Sequence, residues 1–302
     1  MIKKYHGVVP PILTPVDAKE NVDEQGFRAV IDHCIKGGLH GIFVAGTNGE
    51  TMALTQKERN NAIRIALDQV KGRVPVMSGI MDSSTRRVID NLKDLEQMGG
   101  TCAVITSIFY DRHTSQDQTV RHFEAIAKET SIDLIIYNIP PFTGLKLNAA
   151  TVLKIAEIDN VVGYKDSSGA FPEFLQVLDK YEKTPFAVLQ GVTALALPSL
   201  LLGADGFVPA LAPLFPELFA KAYDVGRSKD IELTKKYNAL IRESSTILGM
   251  SKNATAANKF AIAQLGFTDK RVIAPQDTIS PEEEQNIIRK TAQVNEMFAA
   301  MQ

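Results

Sequence analysis

Lys165 ends a short apolar run, Val161-Val162-Gly163-Tyr164-Lys165, and an amine in that place can do covalent chemistry. If the run is a β-strand, its period of two puts Lys165 on the same face as Val161 and Gly163. Inside a closed barrel an ammonium is costly to bury. Desolvation would lower its pKa and supply the neutral amine that attacks a carbonyl. The plainer reading is a strand-end lysine reaching water or Asp166, and the run alone leaves both open.

Tyr137 ends an earlier run, Leu134-Ile135-Ile136-Tyr137-Asn138, one strand–helix unit before Lys165. Adjacent parallel strands would bring the two side chains together, and a phenol can shuttle protons while a carbinolamine forms and dehydrates. A core aromatic with a satisfied hydroxyl is the alternative. Thr47 sits in a glycine-flanked loop, Gly46-Thr47-Asn48-Gly49-Glu50, whose hydroxyl and backbone N–H groups suit a carboxylate. Such loops are common, so this signal is weak by itself.

The elements that must position these residues repeat one theme along 302 residues, of which 45% are hydrophobic. Eight strand candidates can be read: Gly7–Leu13, Gly41–Ala45, Val74–Ile80, Thr101–Thr106, Ile132–Asn138, Val161–Asp166, Phe186–Gly191 and Asp205–Val208. Most are nearly continuous in apolar residues, as strands buried on both faces should be. Helical segments fall between them, among them Asp23–Lys36, Ser84–Met98 and Ser115–Thr130. Thr55-Gln56-Lys57-Glu58 reads as a capping box opening another. The alternation implies parallel strands with right-handed crossovers. Eight units favour a (β/α)8 TIM barrel over an open doubly wound sheet, and no GxGxxG follows the first strand. The expected division is a barrel over residues 1–227 and a C-terminal helical extension over 228–302. Glu282-Glu283-Glu284 after Ser280-Pro281 reads as the acidic first turn of a helix in that extension.

Composition excludes several function classes. A net charge of −2 gives no drive toward nucleic acid. No apolar run reaches membrane-span length, and the N-terminus from Met1 is too poor in apolar residues for a signal peptide. Cys34 and Cys102 read as small buried residues of a reducing compartment, so a cytoplasmic location is expected. His6, His33, His40, His113 and His122 form no HxH or HExxH pair, and no metal is expected. No GK[ST] follows a glycine-rich loop, so a P-loop is also excluded.

Three stretches together resemble the dihydrodipicolinate synthase / N-acetylneuraminate lyase family: Gly46-Thr47-Asn48-Gly49-Glu50, Tyr137-Asn138-Ile139-Pro140-Pro141-Phe142-Thr143-Gly144, and Gly163-Tyr164-Lys165-Asp166. The resemblance covers essentially the whole chain. It implies a pyruvate-dependent class I aldolase, a carbon–carbon lyase in which Lys165 forms a Schiff base with a 2-oxo acid. Tyr137 would donate and accept the proton. Thr47 would link Tyr137 to a second tyrosine, here Tyr110, reaching across from a neighbouring subunit. Gly46, Asn48, Ser167 and the backbone near Val208 would help hold the substrate, and Gly191 would let the chain approach closely. The resemblance further implies a homotetramer built as a dimer of dimers, with no cofactor and no metal.

Two departures bear on the substrate. Phe142 stands where the synthases carry an arginine that grips the carboxylate of aspartate semialdehyde, and Asn48 replaces a threonine. Val192-Thr193 stand where sialic acid lyases carry an acidic pair. What remains points to an aldolase for 2-oxo-3-deoxy sugar acids or 4-hydroxy-2-oxo acids, with Asp166, Ser167 and Ser168 as candidates to bind a polyhydroxylated chain. The synthase and the N-acetylneuraminate lyase are the alternatives within the family. A non-catalytic small-acid sensor is the alternative from another class, although binding alone does not require an imine-forming amine.

Overall fold

In the computed structural model, residues 3–111 and 114–301 are described; His113 and the first two residues of the N-terminal segment lie outside them. Eight parallel strands form one sheet: β1 (Gly7–Val8), β2 (Ile42–Val44), β3 (Val76–Gly79), β4 (Cys102–Ile105), β5 (Asp133–Asn138), β6 (Val161–Asp166), β7 (Ala187–Gln190) and β8 (Gly206–Phe207). β1 pairs with β8, and the chain just after β1 returns to β2 through a parallel bridge between Pro11 and Phe43. The Ile12 amide donates to the Phe43 carbonyl (3.0 Å) and the Phe43 amide to the Pro10 carbonyl (2.9 Å), which closes the ring. This is the (β/α)8 TIM barrel with a helical C-terminal extension. The first strand is shorter than its apolar run because Pro10 and Pro11 lack the N–H groups a regular ladder needs.

The helices start where the sequence offers caps. Asp23 accepts from the Gly26 amide and Ser84 from the Arg87 amide, while Ser115 and Gln118 form a reciprocal capping box. Ser280 and Glu283 form a second one at the acidic turn. The Thr55 box is only half made. Thr55 accepts from the Glu58 amide, but the Glu58 carboxylate instead accepts from the Val22 amide (2.9 Å), a tertiary contact that outcompetes the local one.

Two apolar layers result. Val9, Phe43, Met77, Val104, Ile135, Tyr137, Leu189 and Val208 fill the barrel interior. A larger cluster lies between the sheet and the helices and continues without a break into Ile241, Phe260, Ile287 and Val294 of the extension. Cys34 and Cys102 are both buried. The strict two-residue alternation expected for β6 fails at its start. Leu134 pairs with Val161 but Ile135 with Gly163, so Val162 is an extra residue in the ladder. Val161 therefore joins the outer layer and Val162 packs on the interior, and Lys165 shares its face with Gly163 but not with Val161.

Close approach explains one glycine. A Cβ on Gly79, at the end of β3, would collide with the Ala45 carbonyl at the end of β2. Gly79→Ala is expected to destabilise the fold by about 1–3 kcal/mol, as overpacking against backbone does. A denaturant midpoint equal to that of the parent would contradict this close approach.

Candidate active site

Lys165 lies on β6 opposite Tyr137 on β5, the two being Cα partners in the parallel ladder. Its side chain is 3% exposed. The Nζ lies 3.8 Å from the Tyr137 ring centroid and 4.6 Å from that of Phe43. Among the described residues no carboxylate pairs with it. Asp166, the neighbour most able to do so, accepts from Asn138 Nδ2 (2.9 Å), Tyr164 OH (2.8 Å) and Ser168 Oγ (3.0 Å). Burial without a counterion holds the Lys165 amine well below the usual lysine range. The reading of a lysine reaching water or Asp166 is excluded.

Tyr137 is also buried, which pushes its phenol up to about 12, while the nearby Thr47 and Ser167 side chains pull the other way. The phenol is thus protonated at neutral pH, and two hydroxyls stand ready to stabilise its anion. Amine, phenol and two hydroxyls form one connected group at the C-terminal end of the strands, where barrel sites are built.

Above this group opens a cavity of about 330 Å3. Thr47, Tyr137 and Phe142 line it, with Phe142 at the mouth and 65% exposed. Lys165 does not line it directly and lies against the Tyr137 ring. Gly191 lies beside the site: its N–H donates to the Asp166 carbonyl (2.6 Å), and a Cβ there would strike Ser167 Oγ. Gly46 packs so closely on the Phe43 ring that a Cβ would crowd it.

Other expected site residues are directed elsewhere. Asn48 Nδ2 donates to the Pro11 carbonyl (3.3 Å). The Val208 amide donates to the Gln190 carbonyl (2.8 Å), so that N–H is not available to a carboxylate, although the Val208 side chain packs in the interior with Tyr137. Ser168 is turned to Asp166, whereas Ser167 acts on the Tyr137 phenol by lowering it. Tyr110 is 98% exposed, with a left-handed backbone (φ 74°), and lies outside the cavity in this chain.

The sequence reading missed the support of the Thr47 loop. Ala45 and Glu50, at its two ends, both have positive φ (54° and 53°), a strained state for residues with a Cβ. Glu50 is held there by the C-terminal extension. Its carboxylate forms a buried ion pair with Lys259 and accepts from the Ile273 amide (2.9 Å) and Gln276 Nε2 (3.1 Å). Thr255 and Gln276, also from the extension, line the cavity. No local pattern marks Lys259 as a partner of Glu50. Lys259→Met would strand a buried carboxylate and should cost about 3–5 kcal/mol of stability. Unfolding titrations that match the parent would show that the pair does not hold the loop.

Comparisons with known proteins give the family. Residues 4–294 match the model of the dihydrodipicolinate synthetase family. A 4-hydroxy-tetrahydrodipicolinate synthase of Neisseria gonorrhoeae is 32% identical over 270 residues, covering 89% of this chain and 91% of the relative. A synthase of the same name from Methanopyrus kandleri is 34% identical over 238 residues, covering 77% and 78%. Among solved structures, YagE, a prophage protein of E. coli K12 in complex with pyruvate, superposes with a TM-score of 0.91 at 26% identity, covering 96% of this chain and 99% of YagE. Dihydrodipicolinate synthase from Bacteroides thetaiotaomicron superposes at 0.90 with 29% identity, covering 97% and 100%. A lysine without a counterion, a phenol paired with it across the ladder and a match along almost the whole chain lead to one conclusion: this protein belongs to the dihydrodipicolinate synthetase family of lyases and aldolases.

Proposed function

We propose that the protein cleaves or forms a carbon–carbon bond at the carbon next to the carbonyl of a 2-oxo acid, through an imine on Lys165. The observation that carries this is the buried Lys165 amine, without a counterion and 3.8 Å from the Tyr137 ring centre. The neutral amine adds to C2 of a 4-hydroxy-2-oxo acid to give a carbinolamine. Tyr137 protonates the departing hydroxyl, water leaves and a protonated imine remains. The resulting phenolate, stabilised by Thr47 and Ser167, takes the proton of the C4 hydroxyl. The C3–C4 bond then breaks, an aldehyde departs, and the electron pair becomes the enamine. Protonation at C3 and hydrolysis release pyruvate and restore the amine. The reverse sequence is the condensation.

The preferred substrates on this reading are 2-oxo-3-deoxy sugar acids or other 4-hydroxy-2-oxo acids. The names of the relatives favour a second reading, 4-hydroxy-tetrahydrodipicolinate synthesis. Phe142 at the cavity mouth speaks against it, because a phenyl ring cannot hold a second carboxylate. In a tetramer built as a dimer of dimers, the exposed Tyr110 would be offered to the neighbouring subunit and complete the proton path through Thr47.

Reduction with borohydride in the presence of pyruvate should add mass at Lys165, and Lys165→Ala should abolish both trapping and turnover. Tyr137→Phe should slow turnover about 10²–10⁴-fold. Full activity in either variant would refute the assigned roles. Only the neutral amine attacks, so the trapping rate should rise with pH and level off above a midpoint well below that of an ordinary lysine. A midpoint at the ordinary value would show the amine to be solvated. Phe142→Arg should raise condensation of pyruvate with a carboxylated aldehyde about tenfold or more, through a charge-assisted pair. No gain would remove the specificity argument.

A further inference from the structure

Asn138 follows Tyr137 at the end of β5 and is 2% exposed. Strand alternation turns it away from the barrel interior, toward the outer layer that holds Tyr164 and Leu147. Its amide makes two hydrogen bonds with one residue. The Leu147 N–H donates to Asn138 Oδ1 (3.1 Å), and Asn138 Nδ2 donates to the Leu147 carbonyl (3.3 Å). Nδ2 also donates to the Asp166 carboxylate (2.9 Å), and the reverse orientation of the amide would set oxygen against that carboxylate. A single buried side chain thus closes segment 139–146 at its neck. Ile139, Phe142 and Thr143 of that segment line the cavity. Two further polar anchors, both at Lys146, are its pair with Glu173 (2.6 Å) and the bond from Gln116 Nε2 to its carbonyl (2.8 Å). Both lie exposed, where such contacts contribute little.

We infer that Asn138 is a positioning residue: it holds the loop that carries Phe142 at the cavity mouth, and so governs how the aldehyde half of the substrate is received. The inference rests on Lys165 forming the imine, and it separates two supports within that site. Thr47 is held from the other side, by Glu50 with Lys259 and by Thr14, whose hydroxyl donates to the Gly49 carbonyl (2.9 Å). Tyr137 is fixed to Lys165 by the strand ladder. Loosening the neck therefore moves the mouth and leaves amine and phenol paired. Leu147 presents an N–H and a carbonyl together, and an amide answers both. An ionised carboxylate at position 138 would have no proton for the Leu147 carbonyl and would face Asp166. Leucine, of nearly the same shape, would make neither bond.

The test combines hydrogen exchange of the full chain, borohydride trapping with pyruvate, and cleavage of a 2-oxo-3-deoxyhexonate and 4-hydroxy-2-oxoglutarate. In Asn138→Leu the amides of 139–147 should exchange about tenfold faster or more, while those of β5 keep the parent's rates. Trapping of pyruvate on Lys165 should also keep the parent's rate. For cleavage, kcat/KM should fall about tenfold or more, and the change should sit in KM. Asn138→Ser, able to keep one of the two bonds, should lie between the parent and Asn138→Leu, and it serves the same test if the leucine variant does not fold. Phe142→Ala should change the ratio of kcat/KM for the two acids in the parent and change it less in the Asn138 variant, because both act through one loop. The inference is overturned if exchange in 139–147 is unchanged, or if trapping and cleavage fall by the same factor. An equal effect of Phe142→Ala in both backgrounds overturns it too. Unlabelled Lys165 in the parent removes the imine reading, while the exchange of 139–147 still decides whether Asn138 holds the loop.

Discussion

The site depends on keeping one amine dry and without a counterion. A lysine with a carboxylate beside it would remain an ammonium, and a lysine in water would be one at neutral pH. Here the barrel wall excludes water from Lys165, while the one adjacent carboxylate, Asp166, is turned away by Asn138, Tyr164 and Ser168. An isolated buried charge is so costly that the group loses its proton instead. The aromatic rings of Phe43 and Tyr137 pack on the amine.

The same burial acts in the opposite sense on Tyr137. Desolvation disfavours the charged form of any group, so it lowers the amine and raises the phenol. Burial thus moves both members of the pair toward their neutral forms, the forms from which an amine adds to a carbonyl. Thr47 and Ser167 act the other way on the phenol and lower it. Thr47 owes its place to a strained loop, and the strain is balanced by the extension through Glu50 and Lys259. The extension is thus part of the site as well as of the core.

The cavity above the pair sets a division of labour. Tyr137 at the end of β5 lines it from below, while the rest of its wall comes from the loops after β2, β3, β4 and β5 and from the extension. Loops can change composition without disturbing the ladder, which is how one barrel chemistry can serve different aldehydes. Phe142 and its apolar neighbours belong to that wall.

The sequence by itself determined the barrel, its eight units, and the partnership of Lys165 with Tyr137. These follow from short-range rules: apolar runs set strands, caps set helices, and consecutive parallel strands must be neighbours. Tertiary structure alone decided the rest. The extra residue at Val162 breaks the period by which Val161 was assigned to the face of Lys165, because the ladder adjusts to its neighbour strand rather than to local alternation. The contacts of Asn48 Nδ2 with the Pro11 carbonyl and of the Val208 amide with the Gln190 carbonyl also come from packing between segments. Glu50 meets Lys259 only after docking of the extension brings distant segments together. Spacing along a chain carries no record of such contacts, since they are set by how whole elements pack.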